Sequence, residues 1–197
     1  MSALVHELED LLKAPANDIM EAILRGFRAQ VDVKGKLAEL YLHRYLKGLM
    51  DGGIIQSMEW RDKDGLPDFA FEFKEKNYQM ECKNLRNEVY RTPVLCYKVE
   101  IQRTRNSKDG SNTRSYRVDH FDILAACTFN QTGKWDFRFI RADDLEIVSD
   151  HPELLKIMQR VPTEIFDPWK KDLIDILNSF EEERPYKSGH SSIQRTL

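Results

Sequence analysis

The feature that most restricts the fold is the stretch 68–84, where two alternating apolar–polar runs follow one another. Phe69, Phe71 and Phe73 recur at every second position, and after Lys74-Glu75-Lys76-Asn77 the same period returns in Tyr78, Met80 and Cys82. A period of two puts one set on one face of an extended chain and the intervening residues on the other. The spacing therefore predicts a β-hairpin that buries its aromatic face and presents Gln79, Glu81 and Lys83 on the opposite one. The polar run Arg61-Asp62-Lys63-Asp64-Gly65 reads as a turn before it, preceded by a strand over 54–60.

Upstream of the hairpin the pattern is helical. Residues 3–14 and 17–30 carry apolar residues at helical spacing, and Asn17 and Asp18 follow Pro15 as capping residues for the second run. Over 33–50, Leu37, Leu40, Tyr41, Tyr45 and Leu49 mark one face of a third helix that Gly52 and Gly53 stop. Downstream, 93–102 fits two readings, because Thr92-Pro93 suits a helix start while the Val, Tyr and Ile residues alternate like a strand. The Gly-, Ser- and Asn-rich run 106–116 predicts a long loop, and 121–129 a strand buried on both faces. Residues 135–140 alternate as its hairpin neighbour across Asn130-Gln131-Thr132-Gly133. Two further helices are expected near 152–160 and 168–180, with a polar, fraying segment after Glu181.

The 197 residues suit one domain: N-terminal helices over 1–32, a core over 33–145, C-terminal helices over 146–183 and a flexible tail over 184–197. No apolar run approaches the roughly 20 residues needed to span a membrane, and the N-terminus lacks the basic start and apolar stretch of a secretory signal. A cytoplasmic address is expected, with no membrane partner. Cys82, Cys96 and Cys127 are odd in number and set in apolar segments, which predicts free thiols packed as small hydrophobes. Net charge is −3, yet Lys83–Arg117 holds nine cations against Glu88, Glu100 and Asp109. Positive charge gathered in this way on an acidic chain is the footprint of a polyanionic partner.

The polar face of the hairpin carries the chemistry. Phosphodiester hydrolysis needs an activated water and neutralised phosphate charge, and Mg²⁺ supplies much of both when held by one or two carboxylates. Asp68 and Glu81 can provide the carboxylates, and the Cys82 main-chain carbonyl a further oxygen. Glu81 and Lys83 share a strand face at about 7 Å, so the lysine can stabilise developing charge or orient the water. Pro67-Asp68, followed thirteen residues later by Glu81-Cys82-Lys83, resembles the PD-(D/E)xK signature of restriction-endonuclease-like nucleases. In that family the preceding helix often adds an acid, and Glu39, in Gly35-Lys36-Leu37-Ala38-Glu39, matches that position.

The resemblance covers about residues 33–141 and implies an α/β fold with an αβββαβ core: a central mixed sheet of about five strands with helices on both faces. It implies catalysis by Asp68, Glu81, Lys83 and Glu39, with metal held at Asp68, Glu81 and Cys82. Gln102 is the best match to a phosphate-holding residue after the Glu-x-Lys strand, although Asn106 stands where some branches place tyrosine. Arg103, Arg105, Lys108, Arg114 and Arg117 are candidates for phosphate contacts or guanine recognition. The expected activity is Mg²⁺-dependent cleavage of double-stranded DNA, with Mn²⁺ as a substitute ion, by a type II restriction endonuclease working as a homodimer beside a cognate DNA methyltransferase. The alternatives are a sequence-nonspecific or structure-specific nuclease of repair or phage defence, and a non-cleaving DNA-binding module.

Overall fold

The computed structural model describes residues 6–63, 65–103 and 114–182. It opens with three helices, α1 (Glu7–Leu12), α2 (Ala16–Arg25) and α3 (Phe27–Asp51). His6 caps α1, accepting from the Leu8 N–H while Glu9 accepts from the His6 N–H in return. The helix expected over 17–30 divides at Gly26, whose extended backbone (φ −98°, ψ 99°) ends α2 and starts α3. A Cβ at Gly26 would lie 3.2 Å from both the Ala22 carbonyl oxygen and the Ala29 Cβ. The third helix thus begins six residues earlier than the 33–50 pattern indicates. Only Ala38, Leu42 and Leu46 are buried along it, one per turn on the face toward the sheet.

The predicted hairpin is present as β2 (Phe69–Phe73) and β3 (Lys76–Tyr90), following β1 (Ser57–Trp60). Lys74 and Glu75 turn the chain with positive φ. The chain then forms β4 (Cys96–Glu100), β5 (Ile123–Cys127), the short helix α4 (Phe129–Thr132) and β6 (Phe137–Arg141). A 3-10 turn at Ala142–Asp144 leads to β7 (Ile147–Val148), β8 (His151–Leu155), β9 (Met158–Pro162) and helix α5 (Leu173–Ser179). The open choice over 93–102 resolves as strand, beginning at Cys96.

Long strand β3 is the axis of the sheet. Its first part pairs antiparallel with β2, Met80 to Asn84 run parallel to β5, and its far end pairs antiparallel with β4 across an irregularity between Leu85 and Val89. Strands β1, β6 and β9 extend the sheet from β2, β5 and β4. Among the described residues this mixed sheet has seven strands rather than five. The doubly buried strand read from 121–129 is β5, whose five residues are all buried.

Three expectations are corrected. The helix read over 152–160 is instead β8 and β9, because β4 needs a partner along its free edge and residues 158–162 provide it in register, Cys96↔Pro162 to Glu100↔Met158. The later helix is shorter than 168–180, starting at Leu173 behind the Asp172 cap. Helices also do not cover both faces. Helices α3 and α5 pack in one apolar cluster with Phe69, Phe71, Met80, Ile123 and Cys127 of the sheet. On the opposite face Leu85, Val99, Leu124 and Val161 pack with Tyr116, Phe121, Leu145, Leu155 and Trp169 from loops and the β7–β8 ribbon.

All three cysteines are free and buried, as their surroundings indicated. Among the described residues no helix is long and apolar enough to cross a membrane. The tail over 184–197 and most of the 106–116 loop lie outside the described residues.

Candidate active site

Alternation along β3 sends Tyr78, Met80 and Cys82 into the helix-covered core and turns Glu81 and Lys83 to the other face. Asp68 stands one residue before β2, so the Phe69↔Met80 register sets it across from Glu81. The hairpin thereby gathers the three residues named first from the sequence. Lys83 donates to Glu81 Oε1, and its ammonium lies 3.9 Å from Asp68 Oδ2. The same Asp68 oxygen accepts from the Cys82 backbone N–H at 2.8 Å.

Burial differs within the cluster, and the difference assigns the accessible end. Glu81 keeps 3% of its side-chain surface in solvent, whereas Asp68 keeps 19% and Lys83 27%. A buried carboxylate is costly without partners. Glu81 Oε1 has two, since the Tyr116 hydroxyl donates to it at 2.6 Å alongside Lys83. Its second oxygen, Oε2, is buried and makes no hydrogen bond among the described residues.

The charge balance is short of cations. Burial, then the negative charge of Glu81, pushes Asp68 up to about 7, against the opposing pull of Lys83 and the Cys82 N–H. Burial works against the Lys83 charge, but Glu81 and Asp68 outweigh it and hold the ammonium above its ordinary value. Burial and the Glu81 charge also raise Tyr116, which keeps its hydroxyl protonated as a donor. His120 stacks on Tyr116 with ring centroids 4.8 Å apart. Burial lowers the His120 value and favours the neutral ring.

Glu39 approaches from α3 and adds to the negative field that raises Asp68. Its carboxylate accepts from Trp60 Nε1 at 3.0 Å and from Lys36 at 2.9 Å. Among the described residues no group of three or more His, Cys, Asp or Glu side chains is arranged to hold a metal. The Asp68–Glu81 pair fits a less demanding ion: a hard cation that keeps most of its waters needs one or two carboxylates. The unbonded Glu81 Oε2 and the raised Asp68 are the features such a cation would satisfy.

The nucleic-acid candidates are spread wider. Gln102 follows β4 and donates to Glu100 at 2.6 Å, while Glu100 also pairs with Arg86. Arg103 and Arg114 clasp the base of the loop: the Arg103 N–H donates to the Arg114 carbonyl at 2.9 Å, and Arg114 Nε donates to the Arg103 carbonyl at 2.7 Å. Arg103 Nε is buried without a hydrogen bond among the described residues, and its charge reaches His120. Arg117 pairs with Asp119 on the surface. Arg105 and Lys108 lie outside the described residues.

Sequence reasoning missed Tyr116 and His120. Tyr116 meets Glu81 across 35 residues of chain, and nothing in the local pattern around it distinguishes it from a loop aromatic.

No protein-family model matches the chain, and no curated protein sequence matches it. Among solved structures it is similar to the bacterial homing endonuclease I-Ssp6803I, at 17% sequence identity and a TM-score of 0.39, over 75% of this chain and 83% of that one.

Proposed function

We propose that this chain is a metal-dependent deoxyribonuclease that hydrolyses phosphodiester bonds of double-stranded DNA at Asp68, Glu81 and Lys83. One observation carries the reading: β2 and β3 bring two carboxylates and a lysine together beside a buried, unbonded carboxylate oxygen. Asp68 and Glu81, with the Cys82 carbonyl, would hold Mg²⁺, or Mn²⁺ in its place. The ion supplies phosphate charge neutralisation and acidifies a water.

This chain's own residues do the rest. Lys83, already the hydrogen-bond partner of Glu81, carries a fixed positive charge to the place where phosphate negative charge grows. Tyr116 holds Glu81 in one orientation. Glu39 strengthens the demand for a cation at Asp68. Gln102, Arg103, Arg105, Lys108, Arg114 and Arg117 are the residues that would bind the DNA backbone or base edges.

Within that activity the finer assignment is a type II restriction endonuclease accompanied by a DNA methyltransferase. Incubating the protein with plasmid DNA in Mg²⁺ or EDTA, beside Lys83→Ala, tests both levels. Loss of at least about 100-fold in cutting rate by the variant, with DNA and metal binding retained, is the expected result. Unchanged cutting by Lys83→Ala removes the mechanism. Discrete fragments support the restriction assignment, and smears return the chain to nonspecific cleavage.

A further inference from the structure

None of residues 6–37 is buried. Helix α1 has six residues and α2 ten, and neither buries a side chain. Isolated helices shorter than about 12–15 residues are marginal in water and depend on packing of an apolar face. Such a face exists and lies open. Leu11, Met20, Leu24, Phe27 and Val31 are all exposed, Phe27 at 80% and Leu24 at 69%. Single exposed apolar residues are ordinary on a monomer, but a concentration of them on one arm marks an interaction surface.

The charges of the arm select the partner. Residues 7–21 hold five acids and one lysine, whereas 25–36 hold four cations and one acid. In a two-fold interface the same patch meets itself, so residue i of one copy faces residue j of the other and the reverse. An antiparallel pairing lays the acidic half of each arm on the basic half of the other, twice. The extent also suits a stable interface, which engages about 20–30 residues on each side.

We infer that the α1–α2 arm and the start of α3 form a self-complementary docking surface for a second copy of this chain. The inference stands on the surface alone. Combined with the proposed nuclease, it supplies two hydrolytic centres for the two strands of a duplex.

The test is sedimentation equilibrium of the full chain over low to mid micromolar concentrations, with circular dichroism to confirm folding. The wild type is expected to dimerise, and Leu24→Glu with Phe27→Glu to weaken the dimer at least tenfold. Two charge variants probe the pairing: Arg25→Glu with Arg28→Glu, and Asp10→Lys with Glu21→Lys. Each alone is expected to be monomeric, because the facing halves then no longer carry opposite charge, and an equimolar mixture of the two to recover a heterodimer. A folded, monomeric wild type overturns the inference, including one that instead binds anionic vesicles. So does a dimer indifferent to the Leu24 and Phe27 changes, or a mixture of charge variants that stays monomeric. Mass, not cutting, is the readout, so loss of the nuclease reading would leave this result intact.

Discussion

Asp68 is held in a position that its neighbours disfavour as an anion. Its ordinary value as a free carboxyl is 3.8 and its value in the folded chain is about 7. Between those two values the native state binds more protons than the unfolded one, so stability contributed by this group falls as pH rises from about 4 to 7 and is lost above that. Asp68→Asn removes the penalty. The variant, free of metal at pH 8, is expected to be more stable than the parent by about 1–3 kcal/mol, and to lose that advantage at pH 4. Urea melts at the two pH values check it, and equal differences at both would show that Asp68 ionises normally. Saturating Mg²⁺ should narrow the gap at pH 8, because only the parent gains a ligand. Tyr116 acts on the other carboxylate. Tyr116→Phe deletes the 2.6 Å bond to Glu81 while keeping the ring stacked on His120. The loss is expected to cost about 1–2 kcal/mol in thermal stability, since a buried carboxylate loses a donor, and to lower the rate constant for cutting more than DNA affinity. A fall confined to affinity would place Tyr116 with the DNA contacts instead.

At the scale of elements, the three N-terminal helices divide into an open arm, α1–α2 with the start of α3, and the buried later part of α3, and substitution should report the division. Leu46 is fully buried and Leu24, on the arm, is 69% exposed. Leu46→Ala is expected to cost about 2–5 kcal/mol, and Leu24→Ala to stay within about 0.5 kcal/mol in the dissociated protein. Chemical denaturation of both variants at low protein concentration measures the contrast, and comparable losses would mean that the arm packs against its own domain. What the sequence disclosed follows from how local each element is. The β2–β3 hairpin was legible because its period of two is written in consecutive aromatics, and its register then assembled Asp68, Glu81 and Lys83 without further information. Residues 151–162 were not legible. Leu154, Met158 and Val161 have helical spacing, and only the free edge of β4, more than fifty residues away, makes 158–162 a strand. Tyr116 was hidden for the same reason, its role being a contact with a distant carboxylate.

Across the whole molecule, charge is distributed in opposition to its sum. The chain carries −3, yet Lys83–Arg117 holds a surplus of six cations, and that segment both leaves the candidate active site along β3 and returns to it at Tyr116. On the proposed reading, a duplex drawn to this surplus would be delivered to the carboxylates rather than to the acidic remainder of the chain. Arg103 anchors one base of the connecting loop through its main chain, and its Nε is buried without a hydrogen bond among the described residues. Arg103→Ala with Arg105→Ala should weaken binding at low salt and flatten the dependence of log affinity on log salt by about 2, close to 0.9 for each phosphate contact removed. Fluorescence anisotropy with a labelled duplex, in Ca²⁺ to prevent cutting, measures the slope over a series of salt concentrations. If both slope and affinity match the parent, the basic segment is solvated surface and the duplex approaches from elsewhere. If affinity falls while the slope holds, the two arginines contribute through base edges rather than through phosphates, which is a statement about sequence selection that a panel of duplexes would then resolve.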